Sequence, residues 1–340
     1  MLNISLEFLA LASVVALAGT FLARAADLIA EITGLGRLLI GSVLLAAATS
    51  VPELTVDISA VRQGMPDLAA GDLFGSSLMN LLILAVLDLA RRSAGKMLSR
   101  EAAAHALSAI LSIALTAIAC LAVLTSHRIS EASFLGIGIW SWGIIVAYLL
   151  GVRMIFLDQR VSARAVADAA EAAQPDGGDK KPEMPPLWKP VVVFAAATVV
   201  LCFAGPRLAH VAGQLADMSG LGKTFVGTTL VALCTSLPEL VASITAIRMK
   251  AFDLVIGTVF GSNAFNMILF FVMDAAHPGS FFVDISATHA VTALAVILAT
   301  SVAALGQLYH VEKRHRLVEP DALLMLLILG GALVLVFRLS

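Results

Sequence analysis

Charge is scarce in this chain. Lys, Arg, Asp and Glu make up 14% of its 340 residues, against about a quarter in soluble domains. That shortage excludes an ordinary water-soluble globule. The net charge is −2 and no basic patch offers a surface to nucleic acid. Cysteine is equally sparse. Cys120, Cys202 and Cys234 all fall in apolar stretches, and their spacing suits neither a disulfide framework nor a zinc site. No nucleophile–base pair and no phosphate-cradling glycine loop is present, so enzymatic chemistry and a resident cofactor find no support. Long polar stretches are missing too. Only 158–187, which contains AAQPDGGDKKPEMPP, interrupts the apolar pattern. It is too short for a regulatory domain and reads as a cytoplasmic linker between two halves, 1–157 and 188–340. The N-terminus has no basic n-region, and its apolar run is too long for a signal peptide.

What remains is hydrophobic. Apolar residues reach 59% and the mean hydropathy is +0.95. Runs near the roughly 20 residues needed to span a bilayer recur at 6–30, 36–62, 67–90, 102–125, 133–156, 188–214, 221–248, 253–275, 285–308 and 321–338. The expected fold is an all-α polytopic membrane protein of about ten helices. If the loops after helices one, three, five, seven and nine share one side, that side and its flanks collect 17 of the 22 basic residues. Cytoplasmic loops are enriched in Lys and Arg. This places those loops in the cytoplasm and both termini outside. The short linker and Ala-rich helices suit a prokaryotic inner membrane, with lipid as the only other partner implied.

The chain repeats itself. Residues 34–88 align with 220–274 without a gap, with 23 identities in 55 positions. The matches are mostly Gly, Pro, Ser, Thr, Asn and acids, such as Gly41/Gly227, Pro52/Pro238, Gly75/Gly261 and Asp88/Asp274. Generic apolar helices would match at Leu, Ala and Val instead. Five helices per half make the second half enter the membrane upside down. Such inverted repeats are the design of many secondary transporters, which build a midplane site from broken helices.

Two motifs carry the chemistry. TSVPEL at 49–54 and TSLPEL at 235–240 each set a proline and a glutamate inside an apolar span. A charged side chain at the bilayer centre costs about 2.5–3.5 kcal/mol. Glu53 and Glu239 have no basic neighbour in their own helices until Arg62 and Arg248, nine residues on. A mobile cation is the natural partner; the plainer alternative is two protonated or mutually bonded glutamates that only hold helices together. Pro52 and Pro238 lack an N–H, which frees the carbonyls of Ala48 and Cys234, although a plain kink would leave the same mark. The hydroxyls of Thr49, Ser50, Thr235 and Ser236 are further hard ligands. GDLFGSSLMN and GTVFGSNAFN follow, with Ser76 and Asn80, and Ser262 and Asn266, four apart on one helical face. They are either packing motifs or neutral oxygens facing the glutamates. Six to eight oxygens suit calcium. Two carboxylates balance one divalent cation, two monovalent cations or two protons, which is a physical basis for exchange.

GSVLLAAATSVPEL…GDLFGSSLMN and GTTLVALCTSLPEL…GTVFGSNAFN resemble the two alpha-repeats of the calcium/cation antiporter superfamily, nearest the sodium/calcium exchangers. The resemblance implies that Glu53 and Glu239 are the central calcium ligands. Thr49 and Thr235, with carbonyls near Ala46 and Ala232, would complete calcium and sodium sites. Ser50, Ser236, Ser76 and Ser262 would line sodium sites, with Asn80 and Asn266 between. The chain departs from the family pattern in four places. Asn266 stands where Asp is common, Ser77 and Asp72 each replace a common Asn, and Asp57 faces Ser243 in the second repeat. Asp57 or Asp72 either restores a carboxylate to the site or simply sits in a vestibule or at a helix end, and the latter is expected. His105 and His289 start helices four and nine, where a proton-coupling role is one reading and a structural or solvated one is expected, and Asp88 and Asp274 are expected to be interfacial.

The leading expectation is a secondary antiporter exchanging calcium for sodium by alternating access. Proton-coupled exchange is the alternative within transport. A cation channel or a non-transporting cation sensor is the alternative outside it.

Overall fold

The computed structural model describes residues 2–90, 102–126, 132–173, 184–219, 233–308 and 320–339. The described residues are mostly helical, as apolar spans must be, because backbone groups in lipid have to satisfy one another. Helix α1 covers Leu2–Thr33. The second span is built in pieces: α2 at Arg37–Leu39, a π-helical turn at Ile40–Leu45, α3 at Ala46–Thr49 and α4 at Val51–Arg62. Then come α5 (Pro66–Ala90), α6 (Ala102–Thr125), α7 (Ile139–Ala173) and α8 (Trp188–Ser219). The second half continues with α9 (Leu237–Arg248), α10 (Phe252–Ala276), a short α11 (Phe281–Asp284), α12 (His289–Leu308) and α13 (Pro320–Leu339). Among the described residues seven helices are long and apolar enough to cross a membrane, or eight with the bent pair Arg37–Thr49 and Val51–Arg62. With α9 and α13 they make the ten-helix plan.

Burial sorts the helices into layers. The central ones are α10 and α5, whose spans are 78% and 67% buried; α1 and α7, at 28% and 22%, are peripheral. Outward side chains such as Phe21, Leu149, Phe203 and Leu327 are exposed and apolar, as a lipid-facing surface requires. α1 and α8 lie along each other, and each packs on the glutamate helix of the opposite half, α1 on α9 and α8 on α4.

The internal repeat is visible in the backbone. Ser50 and Ser236 break their spans at nearly the same dihedrals, φ −85°, ψ 10° and φ −81°, ψ 3°. Gly64 and Lys250, equivalent in the alignment, both take positive φ, 75° and 60°. The left-handed backbone costs a non-glycine residue roughly 1–2 kcal/mol, yet the second half keeps the turn with a lysine. The same register extends beyond 34–88. Gly19 abuts the carbonyl of Pro238, and Gly205 abuts the ring of Pro52, so each peripheral helix touches the other half's proline through a glycine. A Cβ on Gly257 or Gly261 would stand 2.6 Å from the Leu38 carbonyl oxygen or 2.4 Å from Ser42 Cα. Such small-residue crossings let membrane helices approach closely.

Ion pairs and His–Asp contacts between elements agree with the alternating plan. Arg207 Nη2 lies 2.6 Å from Glu7, and His289 Nε2 lies 3.0 Å from Asp67; all four residues belong to the side of the N-terminus. Arg37 pairs with Asp27, and His105 Nε2 lies 2.9 Å from Asp253 Oδ1, at the opposite side. His105 is fully buried, so it is not solvated. Asp274 is also buried, close to the C-terminal end of α10. It accepts hydrogen bonds from Gly138 N (2.8 Å), Ser141 Oγ (2.6 Å) and Phe281 N (3.1 Å). The bonds to Gly138 and Ser141 pin a small hairpin, Ser133–Phe134 with Ile137–Gly138, turned by positive φ at Leu135 and Gly136. The hairpin is why the fifth span starts at Ile139 rather than near 133. Its helix then runs on to Ala173, into the segment read as linker, because RVSARAVADAAEAA is rich in the best helix former. Asp88 lies near the end of α5.

Candidate cation site

Each of the duplicated motifs sits where its span breaks. Thr49 Oγ1 donates to the carbonyls of Leu45 (3.0 Å) and Ala46 (3.2 Å). The chain bends by 44° between Thr49 and Val51, and α4 begins with Pro52 in its first turn. Proline is tolerated there because the first N–H groups of a helix have no partner anyway. The same break puts Glu53 in the first turn of α4 and Glu239 in the first turn of α9, where the positive end of the helix dipole favours negative charge. The proline and the glutamate are thus one device: the proline starts a helix inside the span, and the helix start holds the carboxylate.

Glu53 and Glu239 are each 1% exposed. They lie within Coulombic reach of each other, and each has one carboxylate oxygen with no hydrogen-bond partner in the protein. Glu239 Oε1 accepts from Ser50 Oγ of the other repeat at 3.4 Å, and the Thr49 hydroxyl also lies against this carboxylate. Thr235 and Ser236 are buried at the second break, and Ser236 Oγ is unpartnered. Ser76 and Ser262 are fully buried with unpartnered hydroxyls. Ala46 is buried at the first break. Ala232 lies outside the described residues.

Four amides and hydroxyls cross between α5 and α10. Asn80 Nδ2 donates to Asn263 Oδ1 (3.0 Å), Asn263 Nδ2 to the Ser77 carbonyl (3.2 Å), and Asn266 Nδ2 to Ser77 Oγ (3.4 Å). Asn80 and Asn266 spend their amide N–H groups on each other's helix and leave both Oδ1 atoms buried and free of partners. An orphaned buried acceptor is costly, and the orphans here are all oxygens suited to a hard cation. Among the described residues no Lys or Arg is buried. No group of three or more His, Cys, Asp or Glu gathers at one point among them either, so acidic density alone does not define the site. It is two carboxylates amid neutral oxygens.

Two expectations need correction. Asp57 is fully buried in the middle of α4, and Asp72 is 8% exposed inside α5. Neither lines a vestibule nor ends a helix. They lie within hydrogen-bonding reach of each other and within Coulombic reach of Glu53, and α4 packs on α5. Asn263 joins the site without having been singled out by the sequence pattern, although it is the aligned partner of Ser77, and that alignment was the available signal.

The sequence model of the family described as "Sodium/calcium exchanger protein" matches residues 5–154 and 189–338. The chain belongs to this exchanger family. It is therefore an integral membrane cation antiporter and not an enzyme. This exchanger chain is 28% identical over 249 residues to the putative antiporter CaxA of Alkalimonas amylolytica, covering 72% of this chain and 71% of the relative. It is 26% identical over 255 residues to the Ca(2+)/H(+) antiporter ChaA of Bacillus subtilis, covering 74% and 70%. Among solved structures it is similar to the sodium-calcium exchanger NCX_Mj, with a TM-score of 0.68 at 16% identity over 98% of both chains. At that identity the likeness speaks for the fold, two inverted five-helix repeats, and not for the ions.

Proposed function

We propose that this exchanger moves calcium against sodium by alternating access at a midplane site centred on Glu53 and Glu239. One observation carries the reading: two repeat-equivalent carboxylates are buried together with no buried Lys or Arg among the described residues and with an unpartnered oxygen on each. A carboxylate at the bilayer centre costs about 2.5–3.5 kcal/mol on insertion scales, and a bound cation offsets that cost. Calcium takes both charges at once. The remaining ligands are Thr49, Thr235, Ser50, Ser236, Ser76, Ser262, Asn80, Asn266 and the carbonyls near Ala46 and Ala232. They are hydroxyl, amide and carbonyl oxygens, which monovalent cations of lower charge can share out among several positions. Because calcium and sodium draw on the same carboxylates, only one kind of load is stable at a time, and competition becomes exchange. The inverted halves supply two openings of similar construction around one site.

A second reading couples calcium to protons. The likeness to ChaA, whose name states that coupling, and the neutral Asn266 favour it. We place the linker side, with its excess of Lys and Arg, in the cytoplasm of a prokaryotic inner membrane and both termini outside.

Purified protein in liposomes decides the coupling. Calcium-45 uptake is measured with sodium inside, with potassium inside, and with an imposed pH gradient. Uptake that requires internal sodium supports the first reading, and uptake that requires only the pH gradient supports the second.

A further inference from the structure

A side-chain amide has nearly the same shape at its oxygen end and its nitrogen end, but only the oxygen attracts a cation. Asn80 and Asn266 keep their Oδ1 atoms buried and unpartnered, so something has to decide which end of each amide is left free. The hydrogen bonds between α5 and α10 make that decision. They start from backbone carbonyls, which only accept.

Two relays can be followed atom by atom. In the first, the Ser77 carbonyl accepts from Asn263 Nδ2 at 3.2 Å. That contact fixes the amide of Asn263, with its nitrogen on the backbone of α5 and its oxygen left for Asn80. Asn80 can meet that oxygen only with Nδ2, which donates at 3.0 Å, and its own Oδ1 stays free. In the second relay, Ser77 Oγ donates its single proton to the Leu73 carbonyl at 2.9 Å. The hydroxyl then has only lone pairs to offer. Asn266 meets it with Nδ2, at 3.4 Å, and again keeps Oδ1 free. Ser77 and Asn263 are themselves fully buried. On the helical face of each asparagine, four residues earlier, Ser76 and Ser262 also hold unpartnered hydroxyls. Both relays begin in α5, so the helix of the first repeat orients one amide of each repeat. Ser77 and Asn263 are aligned partners, yet one is a hydroxyl and the other an amide, and the two halves differ in what they do here.

We propose that Ser77 and Asn263 are positioning residues that hold the amide oxygens of Asn266 and Asn80 toward the cation. Neither touches the ion, and each acts through one asparagine. Ligands oriented in advance bind more tightly, because binding no longer has to order them. Asn263 carries the shorter bond to its asparagine and the larger effect; Ser77 carries the longer bond and the smaller effect. The proposal rests on the reading of Glu53 and Glu239 as a cation site and adds what sets the neutral part of its coordination.

The test is a set of double-mutant cycles, read by equilibrium binding of calcium-45 to the purified full chain in detergent with sodium chloride as competitor. The readouts are the calcium dissociation constant and the sodium concentration that displaces half of the bound calcium. Asn263→Ala is expected to raise at least one of them about tenfold, and Ser77→Ala about threefold. Ser77→Thr keeps the hydroxyl and is expected to keep both near wild type. The coupling pattern separates orientation from a merely structural role. Asn263→Ala should have no further effect in an Asn80→Ala background, and Ser77→Ala none in an Asn266→Ala background, while the crossed pairs add. Additivity in all four pairs overturns the proposal. So do unchanged readouts in Asn80→Ala and Asn266→Ala, a result that leaves the glutamate site standing. Binding that survives Glu53→Gln with Glu239→Gln contradicts the glutamate reading instead. Should size-exclusion profile and melting temperature show that Asn263→Ala does not fold, the Ser77 arm decides alone. Coupling of Ser77→Ala to Asn266→Ala and not to Asn80→Ala supports the proposal, and any other pattern overturns it.

Discussion

Glu53 and Glu239 are the residues on which transport turns, and their geometry makes a definite demand. Each occupies the first turn of a helix that begins inside the membrane, and each keeps an oxygen free. Replacing either by Gln retains the shape and removes the charge. Without that charge, calcium faces one carboxylate in place of two, and its dehydration is not compensated. Glu53→Gln and Glu239→Gln are each expected to reduce calcium transport at least 100-fold, on the order of 3 kcal/mol. The melting temperature should be unchanged or higher, because a buried charge has been removed. Calcium-45 flux and thermal unfolding check the two halves of this expectation. The glutamates were legible in the sequence because a carboxylate in an apolar run demands a counter-charge, and its duplication makes chance an inadequate cause. Asp57 and Asp72 were illegible for the opposite reason. Each appears once, and nothing in a linear pattern says that α4 packs on α5 with both acids buried. Asn263 was hidden by the same lack: its value comes from the facing helix, where Asn80 and Ser77 meet it.

At the scale of elements, the crossing of α10 over residues 38–42 holds the first break in place. Gly257 and Gly261 admit the backbone of Leu38 and Ser42 with no room for a methyl group. Gly261→Ala is expected to cost about 1–3 kcal/mol through overpacking and to lower exchange by displacing the π-helical turn before Thr49. Gly330 in α13 meets nothing within 4 Å, so Gly330→Ala gains about 1 kcal/mol from helix propensity. Melting temperatures of the two variants should therefore move in opposite directions. Helix existence and order were legible from hydropathy because lipid forces every span to be helical. The ends were not. The fifth span is displaced by a hairpin pinned on Asp274, a tertiary contact across the two halves. The helix through Ala173 is masked by its polar residues, which read as linker because charge and helicity are independent.

For the whole molecule, the inverted duplication makes one structure serve two faces. The His289–Asp67 pair joins the halves on the side of the N-terminus, and His105–Asp253 joins them on the other, each taking its histidine from one half and its aspartate from the other. The register that relates Gly64 to Lys250 also relates Gly19 to Gly205, so the duplication includes the peripheral helices although their sequences have lost the signal. Sidedness follows from the Lys and Arg distribution. Val161 is exposed on α7, where that helix leaves its apolar span on the linker side. Val161→Cys, in a background without Cys120, Cys202 and Cys234, should react with a membrane-impermeant maleimide in inside-out vesicles. It should be protected in intact cells. The reverse pattern would turn the molecule over and leave its site unchanged.

The measurement that bears most directly on the account is calcium accumulation against its own gradient. Liposomes holding the protein are loaded with sodium and a low calcium concentration and diluted into sodium-free medium with less calcium outside than inside. The account predicts uphill entry of calcium-45 that lasts as long as the sodium gradient, and none in Glu53→Gln vesicles. Calcium that moves only downhill, or uphill entry that survives Glu53→Gln, would contradict it.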